Sequence, residues 1–199
     1  MGVLSAILNF LFPPRRSSSL VATTTPLSLA SLVREQELSG NMAALLPYRN
    51  ELVKACVLEA KFHDSARAQE LLGGVLASYL ADLDEDSSSL ILIPLPLSKE
   101  RRAKRGYNQA ERIARYTDIG TLRTDILVRT RDTAPQTSLG REERKLNVVG
   151  AFSVQGAIDP SYTYIVFDDV LTTGATLSAA MEALWSAGAQ RVRGVALAH

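Results

Sequence analysis

The chain has 199 residues, of which 46% are hydrophobic and 22% charged, and this suits one α/β domain with a short appendage and argues against extended disorder. Its 22 lysines and arginines nearly balance its 21 aspartates and glutamates, so the net charge of +1 excludes a global attraction to nucleic acid or to membranes. The single cysteine, Cys56, excludes an intramolecular disulfide and a cysteine-rich zinc site, and we expect no zinc and a reducing, cytoplasmic location.

Residues 1–41 are predicted to form an N-terminal helix and linker segment ahead of a compact domain at residues 42–199. Residues 1–12 are apolar, but the run is too short for a membrane span, so we favour a short helix that packs on the domain or on a partner over a membrane anchor. Residues 15–30 are rich in serine and threonine and lack clear periodicity, which is typical of a linker or a loosely ordered segment.

Two helices and a buried strand are predicted next. Between residues 45 and 79, apolar residues recur at helical spacing with a break near residue 63, which predicts an N-terminal helical cap. The apolar run LILIPLPLS, which starts at Leu90, predicts a buried strand ended by Pro94. The basic segment KERRAKR follows and leads into a helix that continues through residues 110–114.

The rest of the chain alternates between strands and helices. Three further strands are predicted at residues 124–130, 163–169 and 191–198. A helix is predicted from Gly174 to Ala187, and Gly188 suits a left-handed conformation at its end. This alternation predicts an α/β fold with an open parallel sheet and helices on both faces.

The segment YIVFDDVLTTGAT, from Tyr164 to Thr176, carries the chemistry. Ligands of open parallel sheets bind beyond the carboxyl ends of the strands, where Asp168 and Asp169 would accept hydrogen bonds from two ribose hydroxyls or hold a divalent cation through its water shell. Backbone N–H groups and threonine hydroxyls at the start of the next helix would bind a phosphate. The residues of this phosphate and ribose site would be Asp168, Asp169, Leu171, Thr172, Thr173, Gly174, Ala175 and Thr176. The alternative is a strand end followed by an ordinary helix cap.

The same segment resembles the phosphoribosyl pyrophosphate signature of the type I phosphoribosyltransferases at every position that we can compare. A ligand of this kind also needs a cation-rich cradle for its pyrophosphate. The cations expected to form it follow the first strand: Lys99, Arg101, Arg102 and Arg105. Arginine suits bidentate recognition of phosphate, but a solvated basic helix start or a contact with nucleic acid would also fit these cations.

A long polar segment from Arg129 to Phe152 separates the second and third predicted strands, where a connection of about 4–6 residues would be usual. It predicts a hairpin lid that excludes water from the reactive C1 atom of the ribose. The side chains that it would bring to the pyrophosphate are Arg131, Gln136, Arg141 or Arg144. An ordinary exposed hairpin is the alternative.

Residues 45–199 resemble the ComF family, the competence-associated branch of phosphoribosyltransferase-like proteins. The resemblance lies in LEAKFHD, in IPLPLSKERRAKRGYNQAERIA, in the long polar segment and in the phosphoribosyl motif. The element RGYNQA, with Arg105 and Gln109, and the pattern from Gln136 to Phe152 are more specific than the phosphate motif. Many family members begin with paired cysteines that bind zinc, whereas residues 20–45 of this chain contain none, so a partner contact made through that module is in doubt here.

The resemblance implies a reaction in which a nitrogen acceptor displaces Mg²⁺-chelated pyrophosphate from C1 of the ribose. It also implies a role in natural competence and DNA uptake, with competence or DNA-processing proteins as possible partners. The catalytic residues would be Asp168, Asp169, Arg131 and Gln136. Two alternatives stay open. One is a non-catalytic module that binds phosphoribosyl pyrophosphate or a nucleotide and works through protein contacts. The other is a direct contact of KERRAKR, beside Tyr107, with single-stranded DNA.

Overall fold

The structure is a computed structural model that describes residues 15–38, 41–131 and 150–199. The helices are α1 (Arg16–Thr23), α2 (Pro26–Ala30), α3 (Glu51–Phe62), α4 (Ala66–Ala81), α5 (Lys99–Arg105), α6 (Gln109–Ala114) and α7 (Ala175–Ser186). The strands are β1 (Gln36–Leu38), β2 (Met42–Leu46), β3 (Leu90–Pro94), β4 (Thr121–Leu122), β5 (Leu127–Arg129), β6 (Phe152–Val154), β7 (Thr163–Val170) and β8 (Arg191–Ala198).

Six strands form one sheet in the order β1-β2-β8-β7-β3-β4. All neighbours in it run parallel except β1, which pairs antiparallel with β2 at one edge. The side chains of β7 alternate between two apolar clusters, with Ile165 and Phe167 in one and Tyr164 and Val166 in the other. This period of two shows that both faces of the sheet are covered.

Helices lie on both faces, which confirms the predicted α/β fold. Helices α3, α4 and α6 contribute to the first cluster, and α7 contributes to the second together with the β5–β6 pair. Close packing of α7 depends on Gly194 of β8, because a Cβ atom there would lie 2.6 Å from Met181 Sδ. The predicted helical cap corresponds to α3 and α4, which are separated by residues 63–65.

The connections that leave β3 and β7 diverge, and this determines where a ligand can enter. Strand β3 continues through α5 and α6 to β4 on one side, whereas β7 continues through α7 to β8 on the other side. Because α6 and α7 pack on opposite faces, a crevice opens between the carboxyl ends of β3 and β7. Open α/β sheets bind their ligands at such a switch point.

Several predicted elements are confirmed: the strand that ends at Pro94, the strands at 163–169 and 191–198, and the helix before Gly188. Gly188 has a φ of +102°, a value that favours glycine. Two expectations about strands are wrong. Residues 42–46, partly assigned to a helix, form the parallel strand β2, and residues 124–130 do not enter the main sheet. Leu127–Arg129 instead pairs antiparallel with Phe152–Val154 in a separate two-stranded sheet.

The expectation that residues 15–30 form a linker is also wrong, because they form α1 and α2 and pack on the domain. Val21 and Leu29 are buried in the first cluster, and Thr25 starts α2 with a capping box. Ser17 Oγ donates to the buried carboxylate of Glu59 at 2.6 Å. The predicted helix within residues 1–12 lies outside the described residues, and the domain division at residue 42 stays a prediction. Among the helices that the structure describes, none has the length and apolarity that a bilayer crossing requires.

Candidate functional site

A cavity of about 400 Å³ opens at the carboxyl ends of β3 and β7. Its walls include the loop after β3, the start of α7, and parts of α3, α5 and α6. All eight residues predicted for the phosphate and ribose site line it: Asp168, Asp169, Leu171, Thr172, Thr173, Gly174, Ala175 and Thr176. The cavity therefore lies where the sequence placed a sugar-phosphate site.

Helix α7 begins at this cavity with Gly174 as its N-cap residue. Gly174 has a φ of +77°, which L side chains rarely adopt, and a Cβ atom there would lie 3.4 Å from Met42 Cε. Gly174 has no side chain that could cap the helix, and the Thr173 hydroxyl accepts the Ala175 N–H only at 3.5 Å. The helix is 12 residues long, its first turn has no acidic residue, and the positive end of its dipole lies at the cavity. These features suit an anion at the helix start.

Asp169 is buried, and donors from three elements surround its carboxylate. Lys61 Nζ lies 2.9 Å from Oδ2 and 3.2 Å from Oδ1. Gln109 Nε2 donates to Oδ2 at 3.1 Å, and the backbone N–H of Val170 donates to Oδ1 at 2.9 Å. A carboxylate has about four acceptor sites, so these contacts occupy Asp169 almost completely.

Asp168 is partly exposed at the cavity and has fewer donors. Its Oδ1 accepts the backbone N–H of Asp169 at 2.8 Å. Burial of the carboxyl and the adjacent Asp169 carboxylate raise the pKa of Asp168 to about 8, although Lys61 opposes that shift. The two neighbouring aspartates therefore differ in chemistry, and Asp168 is the one that can meet a ligand.

Arg105 is connected to Asp169 through Gln109. Arg105 Nη1 donates to Gln109 Oε1 at 2.9 Å, and its guanidinium lies 5.4 Å from the centre of the Phe62 ring. Burial lowers the pKa of Arg105, while the nearby Asp169 carboxylate opposes that shift. A cation is thus fixed at the cavity wall by a hydrogen bond and an aromatic ring.

The structure brings only two of the four predicted pyrophosphate-binding cations to the cavity. Arg101 and Arg105 line it, whereas Lys99 and Arg102 do not. The reason is that the predicted basic loop is the helix α5, in which residues four apart share a face. Lys99 and Arg102 thus lie away from the cavity wall, and their role at the pyrophosphate stays a prediction.

The predicted lid can be followed only at its two ends, where β5 pairs with β6. Arg129 lines the cavity and lies 5.4 Å from the centre of the Phe152 ring. Arg131, two residues after the end of β5, is exposed and does not line the cavity. Gln136, Arg141 and Arg144 lie outside the described residues, so the lid stays a prediction.

Among the polar side chains of the cavity wall, sequence reasoning missed four as site residues: Tyr48, Lys61, Gln109 and Arg129. Lys61 and Gln109 were visible only as parts of the motifs LEAKFHD and RGYNQA. Neither motif indicates a contact with Asp169, because Lys61 is 108 residues and Gln109 is 60 residues away along the chain.

Comparisons with known proteins agree with the motifs. Competence protein F of Haemophilus influenzae is 29% identical over 170 residues, which cover 80% of this chain and 73% of that protein. Competence protein ComFC of Streptococcus pneumoniae is 31% identical over 123 residues, which cover 62% of this chain and 54% of that protein. The chain thus spans only about half the length of that ComFC protein. No protein-family model matches the chain.

A solved structure of orotate phosphoribosyltransferase from Mycobacterium tuberculosis is similar over 90% of this chain and 81% of that one, with 16% identity and a TM-score of 0.40. This similarity is too low to add to the fold that the strand order already establishes.

Proposed function

We propose that this chain, a homologue of competence protein F and ComFC at about 30% identity, binds phosphoribosyl pyrophosphate with Mg²⁺ and transfers its phosphoribosyl group to a nitrogen acceptor. The observation that carries the proposal is one cavity with three kinds of wall: a helix start after a glycine, a partly exposed carboxyl, and the two arginines of α5, Arg101 and Arg105. The helix start suits the 5′-phosphate, the carboxyl suits the ribose hydroxyls, and the arginines suit the pyrophosphate. The names of the relatives support a role in natural competence and DNA uptake.

The 5′-phosphate binds at the start of α7. Backbone N–H groups of the turn from Thr173 to Thr176 donate to its oxygens, and the positive end of the helix dipole stabilises its charge. Gly174 lets the backbone approach the phosphate closely.

Asp168 accepts hydrogen bonds from the ribose hydroxyls, since Asp169 already has its full set of donors. Asp168, whose carboxyl reaches the cavity, would hold a hydrated Mg²⁺ in its ionised form. Among residues 15–38, 41–131 and 150–199, no group of three or more His, Cys, Asp or Glu side chains is placed to hold a metal ion. Substrate oxygens and water would therefore complete the coordination, and Mg²⁺ would neutralise charge on the leaving pyrophosphate.

Arg101 and Arg105 face the pyrophosphate and stabilise it as it leaves. In the reaction, a C–N bond forms between the acceptor and C1, while the C1–O bond breaks and its electron pair leaves with the pyrophosphate. The acceptor nitrogen gives up its proton to solvent. Positioning of the reactants and neutralisation of charge supply most of the rate increase in this scheme.

Calorimetry with phosphoribosyl pyrophosphate and Mg²⁺ tests the binding, and an assay for released pyrophosphate over a panel of bases and amines tests the transfer. The proposal predicts 1:1 binding followed by release with at least one acceptor. Binding without release over the whole panel would favour a non-catalytic module that acts through protein contacts. Absence of binding would contradict both the transferase and the non-catalytic binding module.

A second candidate function, binding of single-stranded nucleic acid, is favoured by a second cavity of about 350 Å³ next to the first. The Phe62 ring at its wall is 57% exposed, which is unusual for a large apolar side chain. Exposed cations of α5, Arg101 and Lys104, line the same cavity. An aromatic ring beside cations suits a stacked base and its phosphate.

Lys104→Ala tests this second function, because Lys104 lines the second cavity and not the first. We expect weaker, less salt-dependent binding of single-stranded DNA in this variant, with unchanged binding of phosphoribosyl pyrophosphate. Lys54→Ala removes the same charge from an exposed position on α3 and serves as the control. Equal effects of the two substitutions on DNA binding would rule out this cavity as the DNA site.

A further inference from the structure

Five side chains beside the first cavity are joined by four contacts, and the backbone between Lys61 and Phe62 completes what we call the ring. Lys61 of α3 pairs with Asp169 of β7, and Gln109 of α6 donates to the same carboxylate. Gln109 accepts from Arg105 of α5, and Arg105 lies over Phe62, which adjoins Lys61 in the chain. The ring therefore joins three helices to the strand that ends at the site.

The centre of the ring, formed by Gln109 and Asp169, is buried, whereas Phe62 at its edge is exposed. Gln109 is 2% and Asp169 3% exposed, and the Lys61 side chain is 21% exposed. A buried carboxylate with one partner removed would be left with unmet charge, which is costly. Each contact consequently restrains the next, and the two cations of the ring, Lys61 and Arg105, line both cavities.

We propose that Lys61 and Gln109 are positioning residues that fix Arg105 at the cavity wall and so make the site select a ribose phosphate with pyrophosphate at C1 over ribose 5-phosphate. This inference rests on the proposed function. Lys61 neutralises Asp169, and Gln109 uses its amide N–H on Asp169 and its carbonyl on Arg105. The Gln109 amide can make the contacts with Asp169 and Arg105 at the same time, because it carries both a donor and an acceptor.

The two ends of the ligand depend on different parts of the protein. The 5′-phosphate meets backbone N–H groups of α7, and none of the five ring members belongs to that helix. The pyrophosphate meets Arg101 and Arg105. Damage to the ring should therefore weaken binding at the pyrophosphate end and leave the 5′-phosphate end intact.

The test compares the dissociation constants of phosphoribosyl pyrophosphate, ribose 5-phosphate and inorganic phosphate for the wild type, Lys61→Met and Gln109→Leu. We expect a loss of about tenfold or more for phosphoribosyl pyrophosphate, as for one charge-assisted hydrogen bond, and less than about twofold for the other two ligands. Lys61→Arg keeps the charge and should restore most of the affinity. Lys54→Met, on the exposed side of the same helix, is the matched control.

Phe62→Leu serves as a milder probe that does not disturb the buried carboxylate, because Phe62 is largely exposed. It should reduce only the affinity for phosphoribosyl pyrophosphate, by a few-fold. Equal losses for phosphoribosyl pyrophosphate and ribose 5-phosphate, or no loss in the folded variants, would overturn the inference. A wild type that binds the two sugar phosphates equally well would instead refute the proposed function itself.

Discussion

Asp168 and Asp169 are neighbours in the chain, yet their surroundings give their carboxyl groups different chemical properties. Asp169 is held by Lys61 and Gln109, whereas Asp168 lines the cavity with a raised pKa. The sequence pattern predicted the pair and assigned the same role to both members. It could not separate them, because the difference arises from residues that are distant along the chain.

The raised pKa of Asp168 predicts how stability depends on pH. In the unfolded chain an aspartate has a pKa near 3.9, while in the folded protein burial and the Asp169 carboxylate raise the pKa of Asp168 to about 8. Between these values the unfolded state binds fewer protons, so stability falls as the pH rises. Asp168→Asn removes the titrating group, and we expect it to raise the Tm by several degrees at pH 8 and by much less at pH 4.5.

Thermal unfolding at the two pH values checks this expectation. Asp84→Asn, at an exposed position, is the control. An equal change in Tm at both pH values would show that Asp168 is ionised in the folded protein at neutral pH.

At the scale of elements, helix α7 has a glycine with positive φ near each end, Gly174 at 77° and Gly188 at 102°. Only Gly174 lies at the cavity. Both glycines thus have a positive φ, but only Gly174 lies near the proposed phosphate site. Substitutions at the two positions therefore separate the effect of backbone strain from an effect on phosphate binding.

Gly174→Ala and Gly188→Ala should each destabilise the fold by about 1–2 kcal/mol, because an L residue is forced into the left-handed region. Gly174→Ala should in addition strongly weaken the binding of inorganic phosphate, while Gly188→Ala should not. Urea unfolding and calorimetry measure the two effects. Phosphate affinity that falls equally in both variants would mean that strain, and not close approach to the ligand, explains the loss.

The elements that the sequence predicted correctly have a strong local pattern. Strand β7 combines an apolar run with two carboxylates, and α3 and α4 show helical periodicity over many residues. Strand β2, MAALL, was missed because alanine, leucine and methionine favour helices as readily as strands. Strand β5 has a strand-like pattern, but which sheet it joins depends on its partner β6 more than 20 residues later.

At the scale of the whole molecule, the strand order brings the chemistry together. The opposite crossovers after β3 and β7 place the arginines of α5 and the start of α7 on either side of one crevice. The residues of the proposed phosphate end of the site could be predicted because they are contiguous in sequence. The cationic end was predictable only in part, since the orientation of α5 and the ring through Lys61 exist only in the folded chain.

A crystal structure of the protein with phosphoribosyl pyrophosphate and Mg²⁺ tests the central claim most directly. The account predicts that the 5′-phosphate lies within about 3 Å of backbone nitrogens between Thr173 and Thr176, with the pyrophosphate beside Arg101 and Arg105. A ligand bound elsewhere, or bound here with its two ends reversed, would contradict it.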